Sequence, residues 1–305
     1  MNILFVSSGN SSIGLNPIIK NQGTSLERND LNVQYFLIRG RGVFGYLGNV
    51  IALRRLIKKK EFDIVHAHYS MSGFVAALAG CKPLIVSLMG SDVKSDKYFK
   101  FLIKVFNRLF WNELIVKSND MKLSLDIETA HVIPNGVDMK KFRPIDKNYS
   151  LKKVGWSKKN INILFAANAS RPEKNYKLAN DSCAMLKNKN IVLHTLNNIP
   201  NDEMPFYFNS SDLVVLSSLW EGSPNVIKEA VSCNTPVVST DVGDIHEIIG
   251  SIEGCYVSDP TVKNFSRAIE IALSNKAQIN CRSAAYKYRS GYIAKKIINL
   301  YKGLL

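Results

Sequence analysis

No apolar run in this chain approaches the roughly 18 residues that a membrane-spanning helix requires. No basic stretch precedes the first apolar segment, Ile3 to Val6, as a secretory leader would need. These absences point to a soluble chain that stays in the cytosol. The five cysteines, at positions 81, 183, 233, 255 and 281, form no Cys-x-x-Cys pair, and their odd number completes no disulfide framework. They read as reduced core thiols. Zinc-finger spacing, an RNP-like aromatic strand and a helix-turn-helix signature are also missing, which argues against nucleic acid as the partner.

What is present is globular. A chain of 305 residues has room for two cores of about 150 residues each, and 46% hydrophobic with 21% charged residues is an ordinary folded composition. The net charge of +15 favours polyanionic neighbours such as phosphorylated ligands or anionic lipid headgroups.

Short β-branched runs alternate with helix-length segments in the first half. Strands are expected at Ile3–Val6, Val33–Ile38, Asp63–His66, Leu84–Leu88, Leu114–Val116 and His131–Ile133, and helices from about Ile18, at Val50–Lys60 and near Gly73–Ala79. That is βαβ patterning and implies a parallel sheet. Turn formers then cluster over Ile133 to Asp138 and Phe142 to Pro144, as at a domain junction. The alternation restarts with strands Asn162–Ala166, Ile191–Leu196, Leu213–Leu216 and Val237–Ser239, and helices Asn175–Lys187, Pro224–Ser232 and about Asn264 to Leu273. The last segment, Tyr292 to Leu305, carries Ile293, Ile297, Leu300 and Tyr301 on one helical face.

The most informative window runs from Leu216 to Asp244. Ser223 and Pro224 are a natural N-cap and first helical residue, so a helix is expected to start there and turn free N–H groups toward the loop, with Gly222 allowing close approach of an anion. Glu221 lies in that loop and Glu229 inside the helix, each able to accept two hydroxyl hydrogens of one elongated ligand. Spacing alone leaves open that both are surface glutamates near a helix start, where acid is favoured anyway.

The wider context resembles family 4 (group 1) glycosyltransferases. The resemblance is carried by Ser210 to Asn225, Glu229 to Val238 and Asp241 to Asp244, and by four further segments: Pro134 to Asp138 with Phe142 to Pro144; Arg171 to Asn175; Asp63 to His68; and Gly90 to Asp92. They span nearly the whole chain in the family's order. The resemblance implies an α/β chain with the GT-B fold: two Rossmann-like domains facing across a cleft, with a C-terminal helix crossing back to the N-terminal domain. On that basis residues 1–140 form the acceptor-binding domain, 141–288 the sugar-nucleotide donor-binding domain, and 289–305 the returning helix.

The resemblance further implies a retaining transfer of a hexose from a nucleotide-diphosphate sugar, UDP-linked for preference, to a glycan or lipid-linked glycan of a bacterial surface. Arg171 and Lys174 would neutralise the departing diphosphate, whose charge grows toward the transition state. Glu229 would bind the ribose hydroxyls. Glu221, with the backbone of Gly222, Ser223, Pro224, Asn225 and Val226, would hold sugar and phosphates. No cofactor beyond the donor is called for. No Asp-x-Asp motif occurs, and the two cations can do a metal's work.

Two features depart from the family. Relatives often carry adjacent glycines after the first strand, whereas Ser7 to Gly14 offers isolated ones, of which Gly14 is the candidate for the donor diphosphate. Relatives also often have His before the glycine at position 90, and here it is Met89. His68, at the end of a strand, remains the candidate catalytic histidine, and it and Asp92 each have a structural alternative, while His66 reads as structural. Two rivals survive: a GT-B sugar-nucleotide epimerase, and a non-catalytic sugar-nucleotide binder. Lys94, Lys97, Lys100, Lys104 and Arg108 share one side of a helical wheel, which fits an anionic membrane surface or a plain solvated face.

Overall fold

The computed structural model describes residues 1–10, 14–94, 97–275 and 280–305. It divides into two compact units, Met1–Gly136 with Ser290–Leu305, and Val137–Arg289. Val137 to Lys140, expected in the first domain, therefore group with the second, as does Arg289, expected to open the last helix. The reason is local: Val137 N donates to Tyr288 O at 2.8 Å, and Val137 pairs with Arg289 in an isolated parallel bridge.

The first unit holds strands β1 (Asn2–Ser8), β2 (Asn32–Ile38), β3 (Ile64–His68), β4 (Leu84–Ser87), β5 (Glu113–Val116) and β6 (His131–Val132). They form one parallel sheet in the order β2-β1-β3-β4-β5-β6. Successive side chains leave a strand on opposite faces, and both faces here are covered. Leu4, Val6, Val65, Ala67 and Val86 pack with Leu53, Phe74 and Ile103 from the helices Val50–Lys59, Ser70–Ala79 and Lys97–Leu109. Ile3, Phe5, Ile64, Ile85 and Ile115 pack with Ile19 and Leu26 from Pro17–Glu27 and with Ile293, Ile297 and Tyr301 from Ser290–Lys302.

The second unit repeats the plan. Strands β7 (Ile161–Phe165), β8 (Ile191–Thr195), β9 (Leu213–Leu216), β10 (Val237–Thr240) and β11 (Tyr256–Ser258) form a parallel sheet in the order β11-β10-β9-β7-β8. The helix Asn225–Ser232 covers one face through Ile227, Ala230 and Val231. Tyr176–Ala184 and Val262–Ser274 cover the other through Leu178, Phe265 and Ile269. In each sheet the second strand in sequence lies outside the first and the third returns to its other side. The order thus reverses between β1 and β3, and again between β7 and β9. Ligands of open α/β sheets bind at such reversals, beyond the carboxyl ends of the strands.

Some short elements carry little sequence signal. Gly42–Leu47, Asn119–Leu125, Lys147–Val154, Met204–Ser210 and β11 are each too brief to show a period. Two of these helices are nevertheless capped as sequence rules allow, Met121 N bonding Ser118 Oγ at 3.3 Å and Tyr149 N bonding Asp146 Oδ1 at 2.8 Å.

Candidate functional site

The reversal point of the second unit gathers charge. Beyond β7, Pro172–Lys174 forms a single 3-10 turn, ended by Asn175 at φ 49°, a left-handed conformation that asparagine tolerates. Beyond β9, Ser217 Oγ donates to Lys174 O at 3.1 Å and to Asn175 O at 2.9 Å, and Leu219 N donates to Glu173 O at 2.9 Å. These bonds sew the two loops together. They bring Lys174 Nζ onto Glu221 Oε1, which also accepts from Ser218 Oγ at 2.8 Å. Both charged side chains are about seven-eighths buried, so the pair is poorly screened. Arg171 is not part of it. Its guanidinium is half exposed and turned onto Glu173, two residues on, which leaves Lys174 as the enclosed cation.

The helix after this loop starts one residue later than its sequence suggests. Pro224, with ψ 113°, is the cap residue, and Asn225 opens the helix. Ser223 does not cap because its hydroxyl is committed elsewhere, donating to Asp244 Oδ2 at 2.6 Å and accepting from Lys228 Nζ. Glu229, one turn in, has different neighbours from Glu221. Burial pushes its carboxyl up to about 7, against the opposing pull of Lys141 and Lys228 and a hydrogen bond from Asn201. Lys141 Nζ in turn reaches Asn201 Oδ1 at 2.6 Å and Asp202. Sequence reasoning passed over Lys141, Asn201 and Ser218. The only signal for Ser218 was its place in the Ser-Ser-x-x-Glu run.

Residues 17–118 match a family described as glycosyl transferase 4-like, and residues 151–275 match glycosyl transferases group 1. The chain belongs to the group 1, family 4 glycosyltransferases. The transferase is 26% identical, over 97% of its length, to an Escherichia coli UDP-Gal:alpha-D-GlcNAc-diphosphoundecaprenol alpha-1,3-galactosyltransferase, 89% of which is covered. It is 21% identical, over 83% of its length, to the GPI3 subunit of a Saccharomyces cerevisiae phosphatidylinositol N-acetylglucosaminyltransferase, 66% of which is covered. Among solved structures, a sucrose-phosphate synthase from Thermosynechococcus elongatus superposes with a TM-score of 0.87 at 15% identity, covering 99% of this chain and 98% of the other. HepE from Anabaena, in complex with UDP, gives 0.79 at 16% identity with both chains fully covered. This likeness places the transferase in the GT-B fold class.

In the first unit of the transferase, the expected site residues lie at the reversal between β1 and β3 but are drawn inward. His68 closes β3, is 1% exposed and stacks on His66 at 4.5 Å, with Phe5 edge-on at 4.6 Å. Burial first, then the neighbouring His66 and Lys117, hold its imidazole neutral, far below the usual histidine range. Its Nε2 has no hydrogen-bond partner among the described residues. His66 is tied on both sides, Nδ1 to Tyr301 Oη at 2.6 Å and Nε2 to Ser87 Oγ at 2.8 Å. Asp92 accepts from Ser70 N at 2.7 Å and Met89 N at 2.6 Å, so it fastens the Gly90 turn to the start of the helix Ser70–Ala79. Gly14 has φ 71° and open space where a Cβ would stand, while Ser11 to Ile13 of the same loop lie outside the described residues.

The basic helix of the transferase is less free than its wheel suggests. Lys100 Nζ donates to Ser124 Oγ at 2.9 Å and Lys104 pairs with Asp126 at 2.8 Å. The side chain of Lys94 lies outside the described residues. Lys97 and Arg108 stay exposed beside Tyr98, Phe101 and Leu109, each at least 60% exposed. The short helix Gly42–Leu47, in the same layer over the sheet, exposes Val43 and, at 91%, Phe44. No helix among the described residues is long and apolar enough to cross a membrane.

Proposed function

We propose that this glycosyltransferase moves a hexose from a UDP-linked donor, with retention of configuration and without a metal ion, to a lipid-linked or growing surface glycan. The observation that carries the reading is the buried Lys174–Glu221 pair at the reversal point of the second sheet, inside the region that matches the group 1 family.

In this reading the second unit binds the donor and the first the acceptor. Lys174 gives up part of its contact with Glu221 to meet the diphosphate, and its charge counts most as the leaving group separates. Glu221 is then released to accept hydroxyl hydrogens of the sugar, with the backbone from Gly222 to Val226 beside the phosphates. Glu229 accepts the ribose diol in its ionised form. Arg171, on an exposed stem, swings from Glu173 when the donor arrives. Gly14, at φ 71° in the first unit, leaves its backbone open to an anionic ligand group. His68 meets an acceptor hydroxyl through its buried Nε2 once the ring stack above β3 opens, and the leaving diphosphate takes the acceptor's proton on the face it departs from. The Escherichia coli relative, named for a UDP-Gal donor and an alpha-D-GlcNAc-diphosphoundecaprenol acceptor, supports a UDP sugar and a lipid-linked acceptor.

Lys97 and Arg108, with the exposed Phe44, Tyr98, Phe101 and Leu109, form the surface we assign to an anionic bilayer, where basic side chains meet headgroups and aromatic ones enter the interface. Sedimentation with vesicles containing anionic lipid is expected to fall with salt and with Phe44→Ser and Phe101→Ser together. Binding indifferent to both removes this surface from the model.

The deciding test is a panel of UDP-, GDP- and ADP-sugars offered to the wild type, Lys174→Ala and Glu229→Ala, with binding and product followed. One donor selected by the wild type and lost in both variants supports the assignment. Absence of any sugar-nucleotide binding overturns it.

A further inference from the structure

The loop before the donor helix is joined to the loop after β10 in three places. Thr240 Oγ1 donates to Ser218 O at 2.7 Å. Gly243, at φ 62°, lies so close that a Cβ there would stand 2.6 Å from Gly222 O. Ser223 Oγ donates to Asp244 Oδ2 at 2.6 Å while accepting from Lys228 Nζ. Lys228 is 0% exposed and Asp244 3% exposed, and the lysine also lies over the Tyr288 ring at 5.3 Å.

A fully buried lysine and a fully buried aspartate are each costly alone and tolerable together. Burial drives the lysine toward its neutral form, and Asp244 and Glu229 oppose that; burial drives the aspartate the same way, and Lys228 and the Ser223 hydroxyl oppose it. Neither is needed to build the helix, which is apolar on its packed face through Ile227, Ala230 and Val231. Their shared contact is Ser223, the middle of the segment that the transferase reading assigns to sugar and phosphates.

From this geometry we infer that Lys228 and Asp244 are positioning residues for the donor: clamped on Ser223 from both sides, they set the backbone of Gly222 to Val226 before the donor arrives. The inference rests on the donor assignment above for its function and on the clamp alone for its structure. Preorganised donors act without reorganisation during the reaction, which is why a device outside the contact surface can govern affinity.

The test uses Lys228→Met, Asp244→Asn and the double variant, measured in two ways. Steady-state kinetics with the selected donor should give Lys228→Met a KM raised at least tenfold with kcat changed less than threefold. The double variant, which removes both sides of the clamp, should show a KM within about twofold of that of Lys228→Met, because opening either side already frees the segment. Amide exchange on the free proteins should quicken over residues 221–226 in Lys228→Met while β7 and β9 keep their protection. A wild-type KM in Lys228→Met, or losses that simply add in the double variant, overturns the positioning role. Unchanged exchange over 221–226 overturns the clamp. If the wild type binds no sugar nucleotide, the transferase assignment falls, and the exchange experiment still decides whether the clamp exists.

Discussion

The two units share a sheet plan and differ at the same topological point. Between β1 and β3 the first unit places Phe5, His66, His68 and Tyr301, a packed stack of rings in which His66 bonds the Tyr301 hydroxyl. Between β7 and β9 the second unit places Lys174 against Glu221, a buried charge pair with its loops stitched by backbone bonds. The architecture fixes where a ligand can sit, and the residues decide what kind. A packed ring stack with neutral imidazoles offers no charge to an anion, whereas a lysine held by a carboxylate suits an anion that can displace that carboxylate.

The largest effect expected is in the second unit. Lys174→Ala should lower kcat/KM by about 100- to 1,000-fold, as removal of a charged transition-state contact does elsewhere. His68→Ala in the first unit should leave donor affinity within about threefold and raise the acceptor KM instead. Initial rates with each substrate varied in turn separate the two, and a matching loss of donor affinity in both variants would erase the distinction. Glu229→Ala comes next, with the donor Kd raised about 10- to 100-fold in titration calorimetry, the range for hydrogen bonds to a charged group.

A smaller effect sharpens the contrast from the other side. Tyr301→Phe removes the hydroxyl bonded to His66 and should cost about 1–2 kcal/mol of stability in urea unfolding, with donor affinity unchanged. Changed affinity would mean that the first unit's ring stack serves the donor after all.

A further effect of similar size concerns Glu229 and pH. Its carboxyl is raised to about 7 in the folded chain, above an unfolded value of about 4.3. Between those values the folded state keeps a proton that the unfolded state has lost, so this group's contribution to stability falls as pH rises through the window, by at most about 4 kcal/mol. Glu229→Gln should therefore gain on the wild type by about 2 kcal/mol between pH 5 and pH 7.5. An equal gap at both pH values would show that the carboxyl is not enclosed.

Most strands were legible because each is a run of β-branched residues, and β9 has the limits its pattern gave. β3 starts one residue after the expected Asp63 and runs on past His66 to His68, a polar residue whose burial continues the strand. At the site, Lys174, Glu221 and Glu229 could be named through the family resemblance, but their partners could not. Arg171 looked like a phosphate ligand through the family resemblance, although it stands nearer to Lys174 than the family usually has it, and nothing in the sequence said that Glu173 would hold it. Ser223 and Pro224 obeyed capping rules that a buried network overrode. Lys228 sits in a helix at a place where lysine is ordinarily solvated, and its partner Asp244 lies on another loop, so only the packed structure reveals the pair.

The chain leaves the first unit after Gly136 and returns to it at Ser290, and Asn21 Nδ2 bonds both the exit, at Gly136 O, and the re-entry, at Ser290 Oγ. The helix that supplies Tyr301 to the ring stack is therefore made after the whole second unit. During synthesis the second unit has its whole sequence in hand while one face of the first sheet is covered by Pro17–Glu27 without its partner helix. The earlier half of the gene thus completes its core later, and His66 waits for a partner encoded more than two hundred codons downstream.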